Sequence, residues 1–324
     1  MTIMDPGIAA LLSLQPAPEL APVAAIPVAE RRDALEIGFA AMIGALPPGP
    51  IFDDVDIVET TVPGPDRDIP IRIFRPRGVK DDLPALLFFF GGGFWMRTYN
   101  SPDNIGACRQ TASQAQAVVV EIDYALAPEH PYPAAHLEGR AVLEWMATGA
   151  GEHRIDPARL AVGGQSAGGG LAAGLALWAR DEGGPSIALQ VLEVPGVDVS
   201  LDQFDPMPEG YAADEIAGLV ECLNFYLPDG IPPRDQIAAP LRADTLVGLP
   251  PAFIVTAEHD YLRGMGDAYA ARLRDAGVPV VSVAYGGQVH ISPALAGISP
   301  GARAWRAQAA WAVGTLHNPG EALS

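Results

Sequence analysis

The chain has 324 residues, 49% of them hydrophobic and 18% charged, with a formal net charge of −19. This is enough apolar material for one large core with an appendage, and it excludes a disordered chain despite 35 glycines and 32 prolines. The negative field excludes nucleic acid and anionic lipid headgroups as partners and suits neutral small molecules.

No run of eighteen apolar residues occurs, so no integral membrane association is expected. The opening MTIMDPGIAALLSLQPAPEL is too short, acidic and proline-broken for a signal peptide, and a cytoplasmic location is expected. Cys108 and Cys222 lack CxxC spacing and neighbouring histidine pairs, so they read as free buried thiols and a disulfide framework is excluded.

In chain order, residues 31–46 place Leu35, Phe39, Met42, Ile43 and Leu46 on one helical face after the polar start Glu30-Arg31-Arg32-Asp33. Two strand-like segments, Asp54–Val62 and Ile69–Phe74, flank the turn formers Pro63-Gly64-Pro65-Asp66, as in an antiparallel hairpin at a sheet edge. Strands at Ala85–Phe90, Ala117–Asp123 and Arg159–Val162 then alternate with helices near Asn104–Gln114 and Ala134–Met146. A helix at Ala167–Arg180, strands at Ile187–Val194 and Ala252–Ala257, a helix at Met265–Ala276, a strand at Val278–Ala284 and a helix at Ala302–Leu316 complete the series. The runs LLFFF and VVVEI are continuously apolar or nearly so, as in strands covered by helices on both faces. The pattern predicts an α/β fold with about eight mostly parallel strands flanked by helices. Val199–Asp244, rich in proline and acid with a helical stretch at Asp214–Tyr226, reads as a lid inserted between the sixth and seventh strands.

The chemistry-bearing motif is Gly164-Gln165-Ser166-Ala167-Gly168, set directly between the strand-like Leu160-Ala161-Val162 and a helix. A sharp strand-to-helix turn projects the serine hydroxyl from the strand end, and its glycines avoid clashes that larger side chains would make. A serine hydroxyl needs a base, and the base needs an orienting acid. Asp260 follows the seventh strand and His290 the eighth, so the order Ser, Asp, His matches that of α/β hydrolases, and all three converge at the carboxyl edge of the sheet. Asp198, after the sixth strand, is the alternative acid. His259 adjoins Asp260, but neighbours in extended chain point to opposite sides. His130 and His136 suit capping or packing, and His153 and His317 read as surface positions. Gly91-Gly92-Gly93, after the third strand, offers bare backbone amides to an oxyanion.

These motifs, together with Asp123-Tyr124-Ala125-Leu126-Ala127-Pro128-Glu129-His130-Pro131-Tyr132-Pro133-Ala134-Ala135 and Ala257-Glu258-His259-Asp260-Tyr261-Leu262-Arg263, carry a family resemblance over nearly the whole chain. The sequence resembles the hormone-sensitive-lipase-like branch of the α/β-hydrolase fold, the bacterial family IV esterases. The resemblance implies an oxyanion hole from the N–H groups of Gly92, Gly93 and Ala167, carboxylester substrates with short to medium acyl chains, and no cofactor. It also implies a helical cap built from residues 1–50 and 199–244 over a core of 51–198 and 245–324. Three departures stand out: Phe90 replaces the family histidine before the glycines, Gln165 replaces its acidic residue before the serine, and His290-Ile291-Ser292 replaces His-Gly-Phe. A phenyl ring cannot hydrogen-bond, so packing or another polar group must hold the glycine loop. Trp95, Tyr99, Gln165 and Phe225 are candidates for the substrate pocket.

Other readings remain open at this level. Lactones or amides would use the same three residues. Gly168-x-Gly170-x-x-Ala173 with Glu193 about twenty residues on mimics a dinucleotide site, although it starts after the turn and deep in the chain. A non-catalytic small-molecule receptor of the same fold is a third reading, set against the retained His290. No His-Glu-x-x-His or other close ligand pair supports a metal. The apolar last strand at an edge suggests a homodimer.

Overall fold

A computed structural model describes residues 3–14, 26–148, 150–200, 213–228, 230 and 235–318. Residues 201–212, 229 and 231–234 of the expected lid lie outside the described residues. Eight strands, β1 (Val55–Pro63), β2 (Asp68–Pro76), β3 (Leu83–Phe89), β4 (Val118–Ile122), β5 (Ile155–Gln165), β6 (Leu189–Glu193), β7 (Ala252–His259) and β8 (Val280–Val289), form one sheet in the order β1-β2-β4-β3-β5-β6-β7-β8. β1 and β2 pair antiparallel, as do β2 and β4, and every later pairing is parallel. The expected hairpin therefore forms the sheet edge, with Gly64 N–H donating to the Arg67 carbonyl in its turn at 3.0 Å.

The eight α-helices are α1 (Pro6–Leu14), α2 (Val28–Gly44), α3 (Pro102–Ala115), α4 (Ala134–Thr148), α5 (Ala167–Glu182), α6 (Ala213–Tyr226), α7 (Arg263–Asp275) and α8 (Pro300–Gly314) among the described residues. The core strands are apolar at most positions because alternate residues bury on opposite faces. Leu87, Val120, Val162 and Ile254 pack with α4, α5 and α7 through Val142, Leu171 and Tyr269. Leu86, Val119, Ala161 and Phe253 pack with α3 and α8 through Ala112, Trp305 and Ala309. With both faces covered, the polar residues that β4 and β6 do carry, Glu121, Gln190 and Glu193, are buried and hydrogen-bonded within the protein.

α1 and α2 join the sheet's active edge differently from the periodic expectation. Ile8 of α1 packs with Ile43, Val289 and Leu295, and Phe39, Met42 and Leu46 lie against that cluster. Leu35, expected on the same face, is 46% exposed. The first turns of α2 dock instead through Arg31, which pairs with Glu221 of α6 at 3.0 Å, and Arg32, whose Nε donates to the Trp95 carbonyl at 2.6 Å. Residues 235–244 pack on the core, since Ala239, Leu241 and Ala243 are buried in the α4–α5–α7 cluster and Leu241 N–H donates to the Val197 carbonyl. His153 also differs from its expected place: it is half-buried, its ring 5.6 Å from that of Trp145. No described helix is long and apolar enough to cross a membrane.

Candidate active site

β5 ends at Gln165 and α5 begins at Ala167, which leaves Ser166 alone to reverse the chain at φ 54°, ψ −120°. A non-glycine residue held at positive φ costs on the order of 1–3 kcal/mol and persists only where neighbours over-determine it. Here the Ser166 N–H donates to the Glu193 carbonyl at 2.9 Å, and the Ser166 carbonyl accepts from Gly196 N–H at 2.9 Å. α5 then starts against the end of β3 so closely that a Cβ on Gly168 would collide with the Phe89 and Phe90 carbonyls. The glycines that mimicked a dinucleotide fingerprint are thus accounted for by helix–sheet packing at the turn.

The side chains of Ser166, His290 and Asp260 meet at the carboxyl ends of β5, β8 and β7. His290 Nε2 lies 2.9 Å from Ser166 Oγ, and His290 Nδ1 lies 2.9 Å from Asp260 Oδ2. Asp260 is 2% exposed, and its other oxygen accepts from the Leu262 N–H at 2.9 Å, which fixes the carboxyl plane. The Tyr261 ring stacks on the imidazole with centroids 5.2 Å apart. With Asp260 accepting from Nδ1–H, the Nε2 lone pair faces the serine hydroxyl, the tautomer a general base requires.

The other candidates lie elsewhere. Asp198 accepts from Arg242 Nε at 2.9 Å and from Ser200 N–H at 3.1 Å, so its carboxylate is committed away from the imidazole. His136 is buried and its Nδ1 pairs with the Tyr226 hydroxyl at 3.2 Å; burial pushes its pKa down to about 4, which keeps it neutral and in a packing role. His130 and His317 are exposed, and His259 lies 3.9 Å from its neighbour Glu258.

The loop after β3 shows how the chain manages without the family histidine. Phe90 is fully buried and stacked on Tyr124 at 4.3 Å, the Tyr124 hydroxyl donates to the Phe90 carbonyl at 3.0 Å, and Thr98 Oγ1 donates to the Gly91 carbonyl at 3.0 Å. Aromatic stacking and two hydroxyls therefore hold the segment. Gly92 adopts φ 140° and would collide, as alanine, with the Met96 carbonyl. A Cβ on Gly91 would lie 3.4 Å from Ser166 Cβ, so the loop passes directly beside the nucleophile turn. Ala167, as the first residue of α5, has an amide with no partner inside the helix.

Above this loop, Trp95 is buried, its ring 5.5 Å from Phe225 and its Nε1 2.9 Å from Cys222 Sγ, while Arg31 lies over both rings. A Cβ on Gly93 would be 2.9 Å from the same sulfur, which puts α6 on top of the glycine loop. Cys222, expected to be buried, is half-buried beside the indole, and its spacing three residues before Phe225 on one helix is the signal in the sequence for that position. Tyr99 sits apart from Trp95 and Phe225: it leans on Phe90 at 6.2 Å and lies under the Arg72 guanidinium at 4.2 Å, supporting the loop from behind. The altered His-Ile-Ser loop is closed by Ser292, whose fully buried Oγ accepts from Val289 N–H at 2.9 Å.

A strand-turn-helix serine facing a histidine and an aspartate at the carboxyl edge of this sheet defines a serine hydrolase architecture. A family profile described as alpha/beta hydrolase fold matches residues 86–293. The chain belongs to that family, in its hormone-sensitive-lipase-like branch. Among curated relatives, Carboxylesterase NlhH of Mycobacterium tuberculosis is 40% identical over 76% of this chain and 79% of its own length. The arylesterase of Saccharolobus solfataricus is 35% identical over 69% of this chain and 73% of its own. Among solved structures, a bacterial heroin esterase superposes with a TM-score of 0.83 at 34% identity, covering 97% of this chain and 98% of that one. A hyperthermophilic esterase from Pyrobaculum calidifontis gives 0.82 at 30% identity, covering 97% and 99%.

Proposed function

We propose that this chain is a serine carboxylesterase that hydrolyses short- to medium-chain carboxylic esters through an acyl-enzyme. The observation that carries the reading is the unbroken hydrogen-bond chain from Ser166 Oγ through His290 to Asp260; relatives named as a carboxylesterase and an esterase support it.

In this mechanism Ser166 Oγ attacks the ester carbonyl as His290 Nε2 takes its proton, and Asp260 holds the resulting imidazolium. The N–H groups of Gly92, Gly93 and Ala167 receive the oxyanion, whose loss one donor at a time commonly costs about 10²–10³ in rate. His290 returns the proton to the departing alcohol, and water repeats the cycle on the acyl-enzyme. Trp95 and Phe225 line the acyl pocket beneath a cap drawn from residues 1–50 and 199–234, whereas Gln165 lies in register with Glu193 and residues 235–244 pack on the core. The support for that cap is the pair of contacts from α2, Arg31 to Glu221 and Arg32 to the Trp95 carbonyl.

Hydrolysis of p-nitrophenyl esters of rising chain length tests the reading, with turnover greatest on short to medium chains. Ser166→Ala should lower turnover by roughly 10⁴–10⁶ without unfolding the protein; wild-type rates in that variant refute it. Pairing of two copies along β8 is supported by its edge position and its exposed Ser282, Ala284 and Gly286. Light scattering should then return the dimer mass, and a monomer mass excludes the pairing.

A further inference from the structure

Glu193 is a carboxyl group that the hydrolytic cycle does not use, yet it lies one strand from the nucleophile. It pairs in register with Gln165, the residue before Ser166. Its backbone carbonyl accepts from Ser166 N–H at 2.9 Å, and its side chain is buried at the register position beside Gln165. One carboxyl oxygen, Oε2, accepts from the Trp305 indole N–H of α8 at 2.7 Å. One residue therefore holds the nucleophile turn through its main chain while its side chain is anchored on α8.

We infer that Glu193 is a positioning residue for the hydrolytic reaction: held by Trp305 and paired with Gln165, its carboxyl sets the orientation of the turn that presents Ser166 Oγ and the Ala167 amide. The chemistry of the Trp305 contact makes this orientation proton-dependent. The Trp305 indole can only donate, so it holds a carboxylate more tightly than a neutral carboxyl, and gaining or losing the proton changes the grip on the strand end whose carbonyl holds the Ser166 amide. Burial raises the Glu193 pKa to about 7, opposed by Trp305, Arg306 and Gln165, which brings this change into the working range. The ionisable groups facing it are Arg306 from α8, Cys108 from α3 and Tyr285 from β8. Arg306 is itself 6% exposed and moderates the charge, and both other groups have their pKa values raised by burial, so they stay neutral through the same range.

The inference rests on the esterase reading, and the test separates the two. On p-nitrophenyl acetate, kcat of the wild type is expected to show, besides the rise from His290, a partial fall of roughly two- to fivefold as Glu193 ionises beneath the developing oxyanion. Glu193→Gln should keep KM within about twofold and remove that fall. Trp305→Phe, which deletes the donor that favours the carboxylate, should move the fall to higher pH. A merely structural Glu193 would alter melting temperature and leave the inflection where it was. An active wild type whose kcat profile is matched by both variants overturns the positioning role; a wild type without hydrolysis overturns the esterase reading instead. If Glu193→Gln fails to fold, Trp305→Phe alone decides, because an unmoved inflection contradicts the inference.

Discussion

Tyr124 and Phe90 are joined twice, by ring stacking at 4.3 Å and by a hydroxyl that donates to the Phe90 carbonyl at 3.0 Å. That carbonyl belongs to the peptide leading into Gly91, so the phenol restrains the loop from which the oxyanion donors are proposed to come. Tyr124→Phe keeps the stack and deletes the bond. We expect a loss of about 1 kcal/mol in stability, with a further carbonyl left unpaired in a buried site. The kcat should fall about three- to tenfold with KM little changed, since loop geometry matters most when the oxyanion forms. Steady-state kinetics beside thermal melting measure both, and an unchanged kcat would show that stacking alone holds the loop.

The competing acids make opposite predictions. Asp260→Asn should cut kcat by about 10⁴, because an amide cannot hold the imidazole in the required tautomer or balance its charge. Asp198→Asn loses a charged partner of Arg242 and should affect stability while leaving kcat within about threefold. Reversal of these two outcomes would transfer the orienting role to Asp198.

The thiols should resist alkylation in the folded protein. Burial pushes Cys222 up to about 11 and Cys108 well above its ordinary value. At pH 8 the reactive thiolate is then scarce at both positions. Intact mass after iodoacetamide should show little addition to the native protein and two additions once it is denatured; rapid native labelling of Cys222 would contradict its enclosure between Trp95 and Gly93.

Stability should depend on pH through Glu193. Its folded pKa, about 7, lies above the ordinary value of 4.5, so the folded state favours the neutral form. The stabilisation is fully present below 4.5 and is lost as pH rises through 7, by about 3 kcal/mol. Glu121, buried beside Arg72 and Asn104 and raised chiefly by burial, acts in the same direction. Denaturant titrations at pH 5 and pH 8 should show Glu193→Gln gaining on the wild type at the higher pH. A constant difference between the two proteins would mean that Glu193 does not titrate in that window.

The N-terminal segment should matter to the histidine loop. Asp5 N–H donates to the Gly287 carbonyl at 2.9 Å, and Ile8 is fully buried against Val289. Ile8→Ala should cost about 2–4 kcal/mol locally or globally and lower kcat by loosening the support of His290. Hydrogen exchange at residues 287–292 reads the local effect, and unaltered protection there would detach α1 from the site.

The amino-acid order alone determined the strand and helix series, the turn at Ser166 and the placing of Asp260 and His290 after their strands. Those features follow from local rules: burial periodicity, and the steric demands of a tight turn. It favoured Asp260 but kept Asp198 as an alternative, because excluding the second acid needs the distance across the sheet edge. It also kept Leu35 on an apolar face, since periodicity cannot show that α2 docks through two arginines. Only the tertiary structure decided that His290 bridges residues 124 and 30 positions away, that a tyrosine stack replaces the missing histidine, and that Glu193 underlies the nucleophile. Each of those is a hydrogen bond or ring contact between distant segments, and its existence depends on strand order and register, which no local pattern encodes.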